Sequence, residues 1–219
     1  DRDTMLYAFS SREIQLLPLD LTGTGASGVS GSGDYTDAPT TVMQFLGFNT
    51  RRAPFSDEAL RQAVSQAIDR KGLVDSCLLG HGSAAQFPVS PASDRYPTTL
   101  ERTYSTLALQ QLTAVEDTSP EDTAADNAGK YAGTEVTLLV NEENSFKVAA
   151  AQEIAYTLSR CGLSVIVDAV PWETYLQRLQ DGRFDLYYGE CRLTADWDIR
   201  ALVGTEGGLN YGGFSDEKT

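Results

Sequence analysis

The stretch TEVTLLVNEENSFKVAAAQEIAYTLSRCGLSVIVDAVPWETYLQRLQDGRFDLYYGE, residues 134–190, switches its hydrophobic period repeatedly and decides the fold. Glu135 to Asn141 is a short apolar run of strand length. Asn144 can then cap a helix whose Val148, Ala151, Ala155 and Leu158 share one face, and Gly162 ends it. Leu163, Val165, Val167 and Ala169 alternate as a second strand. Pro171 opens another helix with Trp172, Tyr175, Leu176 and Leu179 on one stripe, Asp181-Gly182 turns the chain, and Phe184 to Gly189 is a third strand. The order β-α-β-α-β predicts an α/β fold with a parallel or mixed sheet flanked by helices. Such sheets bind ligands at the carboxyl ends of their strands, so Asp168–Pro171 and Gly189–Trp197 are the loops on which to look for a site.

Upstream, a helix is signalled by Ser56 as N-cap, with Asp57 and Glu58 at the positive helix end and Phe55 placed to staple onto Leu60. It should run to about Arg70, burying Leu60, Ala63, Val64, Ala67 and Ile68. A shorter helix from Leu73-Val74 to Leu79, closed by Gly80, packs behind it. Residues 22–40 are rich in Gly, Ser, Thr and Asp, and residues 116–133 in Asp, Thr, Ala and Glu; both read as flexible, exposed loops interrupting one domain of residues 1–219. The glycines of the first loop lack the following Lys and the strand-to-helix frame of a phosphate cradle.

The 219 residues carry 17 Lys and Arg against 31 Asp and Glu, a net charge of −14 that argues against a nucleic-acid partner. No apolar run approaches the roughly 18–20 residues of a membrane-spanning helix. The chain begins Asp1-Arg2-Asp3 without a leader, which reads as a processed or excised piece. One His and three cysteines, Cys77, Cys161 and Cys191, without C-x-x-C spacing do not make a metal site, and no cofactor motif is present. Those cysteines allow at most one internal disulfide and do not decide the redox compartment. His81 lies in a Gly-rich turn with no G-x-S-x-G elbow near it, and the many carboxylates single out no acid–base pair, so an enzyme is not expected.

The segment from Glu190 to Asp198 holds more. Directly after a buried strand it places Arg192, Asp196, Trp197 and Asp198 within a few residues, a set able to grip a zwitterionic ligand. A carboxylate meeting an ammonium group beside an aromatic wall gains from the exclusion of water. On spacing alone an equal alternative stands: Asp196 caps a short helix from Ile199 to Val203 and Trp197 merely packs.

Phe45-Leu46-Gly47-Phe48-Asn49-Thr50, then Pro54-Phe55-Ser56-Asp57, Arg61-Gln62-Ala63 with Ala67-Ile68-Asp69-Arg70, and Gly80-His81-Gly82-Ser83-Ala84 follow one another in an order that resembles the family 5 extracellular solute-binding proteins. The resemblance continues through Trp172-Glu173-Thr174-Tyr175, Gly182-Arg183-Phe184-Asp185 and Asn210-Tyr211-Gly212-Gly213-Phe214. It implies a lobe of the periplasmic-binding-protein type II class, the second of the two lobes that enclose a ligand. It implies a non-catalytic, monomeric receptor that captures short peptides for the permease of an ABC importer. The location implied is extracytoplasmic, either periplasmic or as a cell-surface lipoprotein. Asp196 matches the acid that pairs with a peptide amino terminus, Trp197 is its aromatic neighbour, and Asp198 competes for the role. A nickel or metal-chelate receptor of the same family, and the sensing domain of a transcription regulator, are the alternatives.

Overall fold

The computed structural model describes residues 2–23, 34–101 and 129–216. Most of the two predicted loops, residues 24–33 and 116–128, lies outside the described residues. Four strands, β1 (Val42–Phe48), β2 (Glu135–Asn141), β3 (Ser164–Val170) and β4 (Leu186–Arg192), form one sheet in the order β1-β4-β2-β3. β2 is parallel to both β3 and β4, and β1 closes the edge antiparallel to β4, so the sheet is mixed. The helices are α1 (Arg2–Ser10), α2 (Glu58–Ala67), α3 (Arg70–Leu78), α4 (Thr98–Glu101), α5 (Ser145–Arg160), α6 (Trp172–Gln180) and α7 (Arg200–Val203).

The two-residue period of β2 explains the layers. Val136, Leu138 and Val140 point to one face and pack with Leu60, Ala63 and Val64 of α2 and Ala151, Ile154 and Leu158 of α5. Leu139 points to the other face and joins Tyr175 and Leu179 of α6, Phe184 and Tyr187. The connection from β2 to β3 therefore uses one face of the sheet and that from β3 to β4 the other. β3 and β4 consequently flank β2 on opposite sides, which opens a crevice between the carboxyl ends of β2 and β4.

Asn144 caps α5 as its sequence position predicts, accepting from the Lys147 N–H at 3.1 Å. Three local expectations change. Asp57 replaces Ser56 as the cap of α2, because its carboxylate accepts from the Ala59 N–H at 2.9 Å. Phe55 is thereby one residue too early for the staple, yet it and Leu60 are both buried in one core. α2 stops at Ala67, since Asp69 caps α3 through the Gly72 N–H at 2.9 Å and Arg70 donates to the Ser65 carbonyl at 2.7 Å. α3 accordingly starts before Leu73 and ends at Leu78, with Leu79 itself in the left-handed region. β4 extends to Arg192, beyond the predicted Gly189, because β1 pairs with it along its whole length. At the far end of the second loop Tyr131 is buried, its hydroxyl donating to Asp57.

Asn49 ties the amino end of β4 to β1. It is 3% exposed, and its amide donates at 3.0 Å to the carbonyls of both Gly182 and Phe184. Asp185 adds a second tie, accepting from the N–H and hydroxyl of Thr137 at 2.9 Å each and from Arg52 at 2.9 Å. These bonds hold β1, β2 and β4 in register, and so hold the opposite end of the sheet, where the crevice lies.

Candidate functional site

A cavity of about 310 Å³ occupies the crevice at the carboxyl ends of β2 and β4. Asn141 of β2, Gly189 to Cys191 of β4, Lys147 of α5 and Trp172 and Tyr175 of α6 lie around it, with Tyr211 and Leu209 from the C-terminal turns. The switch in topology brings these positions together from segments far apart in the chain. On β4, Tyr187, Gly189 and Cys191 alternate with Tyr188 and Glu190, so the sheet end offers an aromatic face on one side and a face carrying the Glu190 carboxylate on the other.

The aromatic face depends on two glycines. In the antiparallel pair Phe45 is opposite Gly189 and Tyr187 is opposite Gly47. Each ring lies across its glycine: a Cβ on Gly47 would sit 2.0 Å from Tyr187 Cε1, and one on Gly189 would sit 2.5 Å from Phe45 Cζ. Tyr187 meets Phe184, Phe45 and Tyr211 edge-on, at centroid separations of 5.1, 5.8 and 6.3 Å. Trp172 stacks on Tyr175 at 5.6 Å, and the Tyr175 hydroxyl donates to the Tyr188 carbonyl at 2.8 Å. Burial drives the hydroxyls of Tyr175, Tyr187 and Tyr188 far above the usual tyrosine range, so all three stay neutral.

On the polar face Lys147 reaches Glu190 at 3.3 Å, and the Gln44 amide donates to the same carboxylate. The ion pair cancels the charge of the cavity wall. The Gln44 Oε1 atom is buried and, among the described residues, without a hydrogen-bond partner.

Of the residues selected from sequence, Arg192 ends β4 and is exposed, and the chain turns away as the Leu193 N–H donates to the Thr41 carbonyl at 2.9 Å. The Trp197 N–H then donates to the Thr194 carbonyl at 3.0 Å, with Trp197 held at φ 62°, a conformation rare for a bulky side chain. Asp196 is exposed and accepts from the Thr194 hydroxyl at 2.5 Å, which lowers its pKa. Asp198 has a different occupation. It accepts from the Arg200 N–H at 2.9 Å and from the Arg200 guanidinium at 2.5 to 3.0 Å, and Arg200 holds its carboxyl at about 2. Asp198, not Asp196, is thus the acid bonded to the start of the short helix, which begins at Arg200.

These four residues lie at the last position of β4 and on the loop that leaves it, but none of them lines the cavity, whose walls are Glu190 and Cys191 just upstream and residues from other elements. Sequence reasoning pointed to the strand ends and missed Lys147, Tyr175, Tyr187 and Tyr211. The period-two placement of Tyr187, Gly189 and Cys191 was the available signal; their meeting with Tyr211 required the tertiary fold. Asp168, from the other loop of interest, is bound to Arg178.

A larger depression of about 610 Å³ lies beside Glu135, at the opposite end of β2. Three of its polar groups bind one another: Asp57 accepts from Tyr131 and from Lys130 at 3.1 Å. Among the described residues no three His, Cys, Asp or Glu side chains gather as a metal site, and no helix is long and apolar enough to cross a membrane. His81 faces Asp37 at 2.9 Å.

Residues 1–198 match the family model described as bacterial extracellular solute-binding proteins, family 5 Middle. The oligopeptide-binding protein AppA of Bacillus subtilis is 26% identical over 178 residues, covering 76% of this chain and 32% of that protein. The periplasmic murein peptide-binding protein MppA of Escherichia coli is 27% identical over 149 residues, covering 68% of this chain and 27% of that protein. The structure of B. subtilis AppA in complex with a nonapeptide superposes with a TM-score of 0.64 at 23% identity, over 82% of this chain and 37% of that one. The chain thus spans about a third of the length of these relatives, and its mixed sheet with flanking helices has the fold of a type II binding-protein lobe. Because the match runs through the sheet, the α2–α3 pair and the loop after β4, this chain belongs to the family 5 bacterial extracellular solute-binding proteins.

Proposed function

We propose that the chain is one ligand-binding lobe of a non-catalytic receptor that captures short peptides for an ABC importer outside the cytoplasm, with Asp196 as the anchor of the peptide amino group. The relatives AppA and MppA are named for oligopeptide and murein-peptide binding, which supports a peptide as ligand. The single observation that carries the anchor is the contrast between the two acids of the loop. Asp198 is engaged by Arg200, whereas Asp196 is exposed and, among the described residues, has only the Thr194 hydroxyl as a side-chain hydrogen-bond partner. An ionised carboxylate oriented by a neutral hydroxyl keeps acceptor capacity for an ammonium group. Trp197 follows it on the same turn and supplies an aromatic wall, and exposed Arg192 supplies a positive charge for the ligand carboxylate.

In the two-lobe receptor a second lobe covers this surface, and closure is driven by contacts the ligand makes only when both lobes meet. The acidic balance of the chain, −14, favours a ligand with a free amine over a polyanion. The receptor acts as a monomer, delivers to a membrane permease and is retained at the cell surface or in the periplasm. Residues 1–219 form one lobe.

Isothermal titration of the full-length protein with Ala-Ala-Ala tests the anchor. Asp196→Ala should weaken binding about 10- to 100-fold, the effect of removing one charge-assisted contact, while N-acetylated Ala-Ala-Ala should bind equally weakly to both proteins. Retention of full affinity by Asp196→Ala would move the anchor elsewhere. Heat with nickel chelates and none with peptides would replace the peptide ligand by a metal complex.

A further inference from the structure

The cavity beneath the aromatic cluster is distinct from the Asp196 loop, and its chemistry specifies more than a free amine. Its 310 Å³ is at the low end of the range for ligand sites of about 300–1,000 Å³, room for one large side chain but not for a whole peptide. Its walls are aromatic and aliphatic, and the one ion pair in them, Lys147 with Glu190, is internally compensated. An uncompensated cation or anion entering it would lose hydration without a free counter-charge.

Tyr187 supplies the second observation. Its side chain is 6% exposed and no hydrogen bond of its hydroxyl is found among the described residues, while the hydroxyl itself is not sealed from solvent. The hydroxyl of neighbouring Tyr175 does have one, the Tyr188 carbonyl, so the cluster does not lack acceptors in general. A buried tyrosine ordinarily places its hydroxyl against a partner, and Tyr187 lines the cavity, where a ligand atom would provide it. Gly47 is the reason the ring sits there, since any Cβ at that position would push it out of place.

We propose that this cavity is a side-chain specificity pocket of the peptide receptor, taking one neutral aromatic side chain with a polar tip, tyrosine in type, whose hydroxyl pairs with Tyr187. The inference rests on the peptide-receptor reading and adds the class of side chain. Tyr187, being neutral, both donates and accepts, so the pair forms whichever way the ligand hydroxyl points. Edge-on contacts with Tyr211 and stacking against the Trp172–Tyr175 pair match an incoming ring.

Calorimetry on the full-length protein decides it with Ala-Ala-Ala and the nine peptides carrying a single Tyr, Phe or Lys at the first, second or third position. At one position Tyr and Phe should bind at least about tenfold tighter than Ala, the effect of burying an aromatic side chain, and Tyr about 2- to 10-fold tighter than Phe, the effect of one neutral hydrogen bond. Tyr187→Phe should remove the Tyr-over-Phe advantage. If Ala-Ala-Ala binds as well as the aromatic peptides at every position, or Lys surpasses Tyr, the pocket assignment is wrong while the receptor reading survives. If no peptide binds, both are wrong. The peptide comparison uses unaltered protein, so it stands even if the variant fails to fold.

Discussion

Gly47→Ala is the most direct perturbation of the cross-strand packing that shapes the cavity. The added methyl would sit 2.0 Å from Tyr187 Cε1 and 2.3 Å from Cζ. Carbon atoms pack at about 3.5 Å or more, so the ring must retreat by roughly 1.5 Å. Its retreat is obstructed by Phe184 and Phe45, at centroid distances of 5.1 and 5.8 Å, on a face where Tyr187 is 94% buried. Overpacking of this kind costs about 1–3 kcal/mol, and loss of the edge-on aromatic contacts puts this case in the upper half of that range. The site is local, so hydrogen exchange of peptides from β1 and β4 in the full-length protein is the suitable assay. At 1.4 kcal/mol per factor of ten, exchange should accelerate about 30- to 150-fold in both strands, with helix α5 less affected. Tyr187→Leu removes the clashing ring, so Gly47→Ala should cost less in that background than in the wild type, a coupling visible in a double-mutant cycle. Equal costs in the two backgrounds would refute the steric account, and unchanged exchange in Gly47→Ala alone would refute the ring-over-glycine packing itself.

Two further outcomes are expected. Asn49→Ala leaves the Gly182 and Phe184 carbonyls without their donor in a buried site and should destabilise the β1–β4 junction by about 1–3 kcal/mol, measurable by urea denaturation; an effect below about 0.5 kcal/mol would contradict its role. The Tyr131 hydroxyl, assisted by Lys130, lowers the Asp57 carboxyl to about 2. A group whose pKa is lower in the folded state stabilises the fold above its unfolded value and loses that contribution as pH falls, here between about pH 4 and pH 2. With the Asp57 side chain 30% exposed, solvent screening leaves about 1 kcal/mol. Tyr131→Phe should flatten the acid limb of the stability–pH curve, and an unchanged limb would refute the linkage.

The period of the chain was enough to place β2, α5, β3, α6 and the start of β4, because burial on one face imposes a rhythm of two or 3.6 residues that no neighbouring segment needs to supply. Helix ends were less legible. Ser56 and Asp57 are both good caps, and only the backbone geometry favours Asp57. β4 was read too short because Glu190, Cys191 and Arg192 carry no strand signal of their own; their strand is made by β1, whose pairing partners lie 146 to 150 positions away. α1 and α4 lacked the apolar stripe that would announce them.

The site divides along the same line. That the end of β4 and the loop after it hold Arg192, Asp196, Trp197 and Asp198 follows from sequence alone, as does the family resemblance, which rests on short runs of adjacent residues. Which acid is engaged depends on where the Arg200 guanidinium turns, and the cavity depends on residues from α5, α6, β1, β4 and the C-terminal turns meeting at one strand end. Local sequence determines what each strand and helix buries. Only the sheet order β1-β4-β2-β3 decides which strand ends stand together, because the contacts that set that order join residues far apart in the chain.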